Sequence, residues 1–169
     1  MDPLRLASTA REKDPIGEFY LITAKKRSNG GVRMKVLVAE DAAVNRKILQ
    51  VLITEMGYTP ILVRDGNEAI QILQQDDTLQ LIILDWVMPG MSGLDVCRFI
   101  RSQKQDEYDY KYILLLTAKS GEGDLTEGFE AGVDDYIIKP FGQNELKMRL
   151  KAGQRIVEMH NKLKIMATR

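Results

Sequence analysis

The chain has 169 residues, 44% hydrophobic and 28% charged, with 24 Lys/Arg against 24 Asp/Glu. This balance fits one soluble globular domain with flanking segments; no apolar run nears the ~20 residues that span a bilayer, and the N-terminus lacks a signal peptide's apolar core. A single cysteine (Cys97) and a single histidine (His160) exclude a disulfide framework, a cysteine-rich zinc site and a multi-histidine metal centre, and the cysteine usage fits the cytoplasm.

Charge is unevenly placed. Residues 1–33 carry 7 basic and 4 acidic side chains, residues 34–138 carry 9 and 18, and residues 139–169 carry 8 and 2. An acidic middle of this kind argues against direct nucleic-acid binding. The first 33 residues have poor periodicity and end in the polar stretch KKRSNGG (25–31), which reads as an extension ahead of a domain that starts near Met34.

From Lys35 onward, short apolar runs alternate with helical patterns. The runs are 35–39, 59–63, 80–84, 112–116 and 134–138; the helical stretches are 43–56, 66–75, 93–104, 122–131 and a long one from about 142. Near-continuous Val/Ile/Leu runs suit strands covered on both faces, so the expected fold is α/β: a doubly wound, five-stranded parallel sheet with an extended C-terminal helix. In such sheets ligand chemistry sits beyond the carboxyl ends of the strands.

The residues just past each strand therefore carry the chemical information. The first strand ends in Glu40-Asp41, the third in Asp85, the fourth in Thr117-Ala118 and the fifth in Lys139-Pro140. The second ends in Arg64-Asp65, which reads as a helix cap. Three carboxylates brought to one edge repel one another and call for a cation. A few hard oxygen ligands with room for water favour Mg²⁺. A carboxylate held there beside an ammonium and a hydroxyl can accept a phosphoryl group.

The motifs VLVAED, LIILDWVMPGMSGLDV, ILLLTAKS and AGVDDYIIKPF occur in this order across residues 34–160. Together they resemble the response-regulator receiver domain of two-component signalling, a flavodoxin-like βα fold. The resemblance implies that Asp85 is the phosphoacceptor. It implies that Asp41 ligates Mg²⁺ directly, that Glu40 acts mainly through bound water and that the backbone carbonyl of Val87 completes the protein's share of the shell. Thr117, Ala118 and Lys139 would contact the phosphoryl group. Thr117 and Tyr136 would form the switch, and Pro140 would follow Lys139 through a constrained peptide bond. Val87 and Lys119, two residues after the acceptor and the threonine, would border the path of hydrolytic water, and slow to moderate self-dephosphorylation is expected. The implied partners are a sensor histidine kinase or a phosphotransfer protein, followed by homodimerisation on phosphorylation; no membrane or direct nucleic-acid contact is implied.

The receiver is expected over 34–153 and an extension of its last helix over 154–169. There Ala152, Ile156, Met159, Leu163 and Met166 recur at steps of 4, 3, 4 and 3. This a/d seam fits an interchain coiled coil, or a long helix packed on its own domain. His160 reads as a surface residue of that helix. The closing NKLKIMATR resembles the linker before a GGDEF-type diguanylate cyclase, which implies a receiver of a longer regulator; a free-standing receiver is the alternative. A signalling module that assists its own phosphorylation, rather than a metabolic enzyme, is therefore expected. A haloacid-dehalogenase-type phosphatase would want an acid where Val87 stands. A nucleotide- or flavin-binding fold would want a glycine-rich loop after the first strand. A degenerate receiver, acting as a phosphorylation-independent interaction module, is the remaining alternative.

Overall fold

The computed structural model describes residues 33–103, 106–119 and 121–168. The N-terminal extension expected over 1–33 lies, apart from Arg33, outside them. Among the described residues five strands and five helices alternate: β1 (Lys35–Ala39), α1 (Ala43–Glu55), β2 (Thr59–Val63), α2 (Gly66–Gln75), β3 (Leu81–Asp85), α3 (Gly93–Ser102), β4 (Tyr112–Thr117), α4 (Glu122–Ala131), β5 (Asp135–Ile138) and α5 (Gln143–Ala167). The strands form one parallel sheet in the order β2-β1-β3-β4-β5. This is the expected doubly wound fold, and the direction of winding reverses between β1 and β3.

Both faces of the sheet are covered, which is why its central strands are apolar between their ends. Val36, Val38, Leu81, Ile83, Leu114 and Leu116 point to the face covered by Leu49 and Ile53 of α1 and by Leu146, Leu150 and Val157 of α5. Helices α2, α3 and α4 pack side by side and cover the alternate residues, as the period-2 geometry of a strand requires. A Cβ on Gly93 of α3 or Gly128 of α4 would meet the Leu115 side chain on this second face.

Local signals set the helix starts. Asp65 caps α2 by accepting from the Glu68 N–H, as Arg64-Asp65 leads one to expect. Ser92 and Asp95 form a reciprocal capping box at α3. Gly132 ends α4 at φ +102°, a left-handed conformation that a side chain would strain.

Helix α5 continues well past Gly153. Gly153 sits flat against the Tyr112 ring, where an added Cβ would lie 2.5 Å from a ring carbon. Beyond it, Gln154 accepts from the Tyr58 hydroxyl at 2.6 Å, Asn161 and Gln80 exchange side-chain amide hydrogen bonds at 2.9 and 3.1 Å, and Lys164 pairs with Asp109 at 2.5 Å. His160, expected on the surface, instead stacks on Tyr110 at 4.6 Å, with its Nδ1 buried. The distal turns of α5 therefore lie along the base of β3 and β4, opposite the edge where the acidic residues gather.

Cys97 of α3 is fully buried and donates its S–H to the Ala131 carbonyl at 3.2 Å. Burial pushes its thiol up to about 11. Only the thiolate attacks disulfide reagents. The native protein at pH 8 is expected to react with a thiol-specific disulfide reagent at least ~100-fold more slowly than the urea-unfolded chain; comparable rates would show that α3 opens readily.

Candidate functional site

The carboxyl ends of β1, β3, β4 and β5 meet where the winding reverses. Glu40 follows β1, Asp85 ends β3, Thr117 ends β4 and Lys139 follows β5. One carboxylate oxygen from each of Glu40, Asp41 and Asp85 lies within 4.8 Å of the other two. Asp41 is exposed, whereas Glu40 and Asp85 are only 1% and 6% accessible. Lys139 Nζ reaches both buried acids, at 3.1 Å from Glu40 Oε2 and 3.1 Å from Asp85 Oδ2.

The electrostatics follow from this packing. Burial is the largest influence on Asp85 and raises its carboxyl; Lys139 opposes it and the Glu40 charge adds to it, leaving the group at about 6. Burial alone would lower the Lys139 ammonium, but the two acids overcome that and raise it. One ammonium thus faces three carboxylates. Hard oxygen donors with surplus negative charge, open on the Asp41 side, suit a small divalent cation such as Mg²⁺.

The surroundings hold these groups in place. Glu40 Oε1 accepts from the Ala42 N–H at 3.2 Å, at the entrance to α1. Asp85 is the last residue of a strand paired on both sides, and its chain continues through a Trp86 N–H bond to the Leu116 carbonyl at 2.9 Å. Thr117 is buried, and its Oγ1 accepts from the Lys119 N–H at 2.8 Å. Ala118 and Val87 are exposed beside the cluster. Tyr136 is half-buried on β5 with its ring edge-on to Phe129 at 5.5 Å. The Lys139–Pro140 peptide is cis.

Some supporting contacts are not legible in the sequence. Arg46 of α1 reaches back to donate to the carbonyls of Glu40 and Asp41 at 3.0 and 3.1 Å. Lys119 holds its ammonium 4.4 Å above the Trp86 ring. Arg101, Tyr110 and Asp134 form a network at the base, where Asp134 accepts from Arg101 at 2.8 Å, from the Tyr110 hydroxyl and from the Ile113 N–H at 2.7 Å. A one-turn offset marks Arg46 as able to fold back; no local pattern marks the other contacts.

The acidic, lysine-bearing cluster sits at the switch point of a doubly wound parallel sheet, the place where ligand chemistry is found in folds of this class. Residues 36–151 match the response regulator receiver domain, and the chain belongs to that family. It is 41% identical over 118 residues to the transcriptional regulatory protein ResD of Bacillus subtilis (strain 168), covering 70% of this chain and 47% of that protein. It is 33% identical over 119 residues to a chemotaxis protein CheY homolog of Campylobacter jejuni, covering 70% of this chain and 90% of that one. The structure of Vibrio cholerae CheY4 superposes with a TM-score of 0.63 at 30% identity, over 73% of this chain and 98% of the other. A two-component response regulator/GGDEF domain protein gives a TM-score of 0.68 over 83% of this chain and 53% of that one, at 20% identity, a likeness of fold alone. The chain spans about half the length of ResD and similar curated relatives. Among the described residues no helix is long and apolar enough to cross a membrane.

Proposed function

We propose that this receiver is the phospho-accepting switch of a two-component pathway, with Asp85 taking a phosphoryl group from phosphohistidine on a sensor kinase or phosphotransfer protein. The observation that carries this reading is the meeting of Glu40, Asp41 and Asp85 with the Lys139 ammonium at one sheet edge. An Asp85 carboxylate oxygen attacks phosphorus. An O–P bond forms as the P–N bond to the donor histidine breaks, and the imidazole leaves with that electron pair and takes up a proton. Lys139 stands beside the attacking carboxylate and offsets charge on the phosphoryl oxygens. Glu40, Asp41, Asp85 and the Val87 carbonyl would hold Mg²⁺, which when bound neutralises further charge on those oxygens.

Thr117 supports the switching half of the reading. Its hydroxyl is engaged only locally, with the Lys119 N–H, so it can turn to donate to a phosphoryl oxygen, joined by the Ala118 N–H. Tyr136 then follows inward, and the face built from α4, β5 and α5 changes. The local charge thereby biases a two-state element, which forms a homodimer or releases an output domain, a diguanylate cyclase being one type. Pro140 shapes the turn after Lys139. The test is acetyl phosphate with Mg²⁺, read by intact mass. A single phosphoryl adduct is expected in the wild type and none in Asp85→Asn. A folded, Mg²⁺-binding wild type that gains no adduct would overturn the reading in favour of a phosphorylation-independent interaction module.

A further inference from the structure

The distal half of α5 presents two faces with different chemistry. One face is occupied: Val157, His160, Asn161 and Lys164 lie on the base of the sheet. At roughly 100° per residue, the seam Ile156, Met159, Leu163 and Met166 is centred about 140° around the helix from Val157, so it points away from the body of its own domain. The seam is 38%, 62%, 44% and 70% exposed at these positions. The described residues of its own fold therefore do not cover it, although it keeps the 3-4-3 spacing of coiled-coil a and d positions.

The flank of this seam is basic on one side. Arg155 and Lys162 occupy the two g positions, and Lys151 lies on the same side one turn earlier. None of these three makes an ion pair with the described residues, whereas Arg149 and Lys164, on other faces, do. Glu158, the one acid in the distal half, accepts from Gln154. We propose that the seam docks an α-helix of another protein that carries a short apolar stripe edged by Asp and Glu.

A second copy fits this seam poorly. In a parallel pair Arg155 would face His160 and Lys162 would face Ala167; in an antiparallel pair basic g positions would face one another. Neither arrangement supplies an acid. A lipid surface fits poorly too, because a strict a/d stripe is narrower than the apolar face that beds a helix in a membrane. An acidic helix satisfies both the stripe and its flank, and charge at e and g is what selects partners in such pairings.

The test uses the whole, unphosphorylated chain and two fluorescent four-heptad peptides. Both carry Ile at a and Leu at d; one has Glu at every e and g, the other Lys. The chain is expected to bind the Glu peptide at least ~10-fold more tightly than the Lys peptide, with affinity falling as salt rises. The double variant Arg155→Glu, Lys162→Glu should reverse that preference, and Met159→Asp should abolish binding of both while thermal unfolding stays unchanged. Equal affinity for the two peptides, or none, would overturn the proposal. So would self-association of the chain that Met159→Asp dissolves, which assigns the seam to a second copy. Binding to phosphatidylglycerol vesicles lost in Met159→Asp would assign it to a membrane instead.

Discussion

Gly93→Ala is expected to lower folding stability by about 3 kcal/mol and to lose phosphoryl acceptance out of proportion to that loss. The backbone of Gly93 is not in a left-handed conformation, so the obstacle is space. A Cβ there would lie 2.3 Å from the Asp85 carbonyl oxygen, 3.0 Å from its carbon and 3.2 Å from a Leu115 methyl. The first two are main-chain atoms at the end of a strand paired on both sides, and they cannot swing aside. Gly93 also donates its N–H to the Trp86 carbonyl at 2.9 Å, tying α3 to the loop after Asp85. Relief must come from lifting α3 or from pushing back Asp85, the proposed acceptor. Urea unfolding and the acetyl phosphate assay measure the two consequences separately. Gly123→Ala is the control: nothing lies within 4 Å of its added methyl, and alanine in a helix is expected to add up to ~1 kcal/mol. Equal stability of Gly93→Ala and the wild type would mean that the α3–β3 contact is loose enough to admit a methyl group.

The second large effect is a pH dependence in metal-free buffer. Asp85 sits at about 6 in the folded chain against an ordinary value of 3.8. Between these values the folded state holds a proton that the unfolded state has released, so stability falls as pH rises through that window. The contribution is on the order of 2 to 3 kcal/mol once both values are passed. Asp85→Asn removes the titrating group and leaves Lys139 paired with Glu40. In chelator, the variant is therefore expected to gain on the wild type between pH 4 and pH 7, and to be the more stable of the two at pH 7.5. Added Mg²⁺ should narrow the gap by favouring the ionised wild-type site. Taking the difference between the chains cancels other carboxyls such as Asp95, which its bonds from Ser92 hold low in both. A difference that does not change with pH would show that Asp85 is solvated like an ordinary surface acid.

Much of the fold and the site cluster is legible in the sequence because both are written in short-range patterns. Apolar runs such as LIIL and ILLL show strands buried on both faces, and the residue just past each run marks the sheet edge. Glu40, Asp85, Thr117 and Lys139 can be gathered in that way without coordinates. The boundaries move little: β3 takes in Asp85 itself and β5 starts at Asp135. His160 escapes such a reading because its environment is made by Tyr110, which is distant in sequence and carries no matching signal. The Gln80–Asn161 pair spans 81 residues and escapes for the same reason. Helical spacing alone reveals the apolar seam of α5. It cannot reveal that the same helix has a second, polar face bound to its own domain, because amides and a stacked ring leave no hydrophobic period.

The Lys139–Glu40 pair joins residues 99 positions apart and closes the site across β1, β3, β4 and the edge strand β5. No shorter piece of the chain contains the arrangement. A nascent polypeptide emerging from the ribosome has both buried acids long before it has their ammonium, so the proposed acceptor site is assembled only when β5 is in place. On the proposed reading, copies cut short before Lys139 lack the ammonium that offsets charge on the phosphoryl oxygens, and competence for the reaction reports that β1 and β5 have joined one sheet.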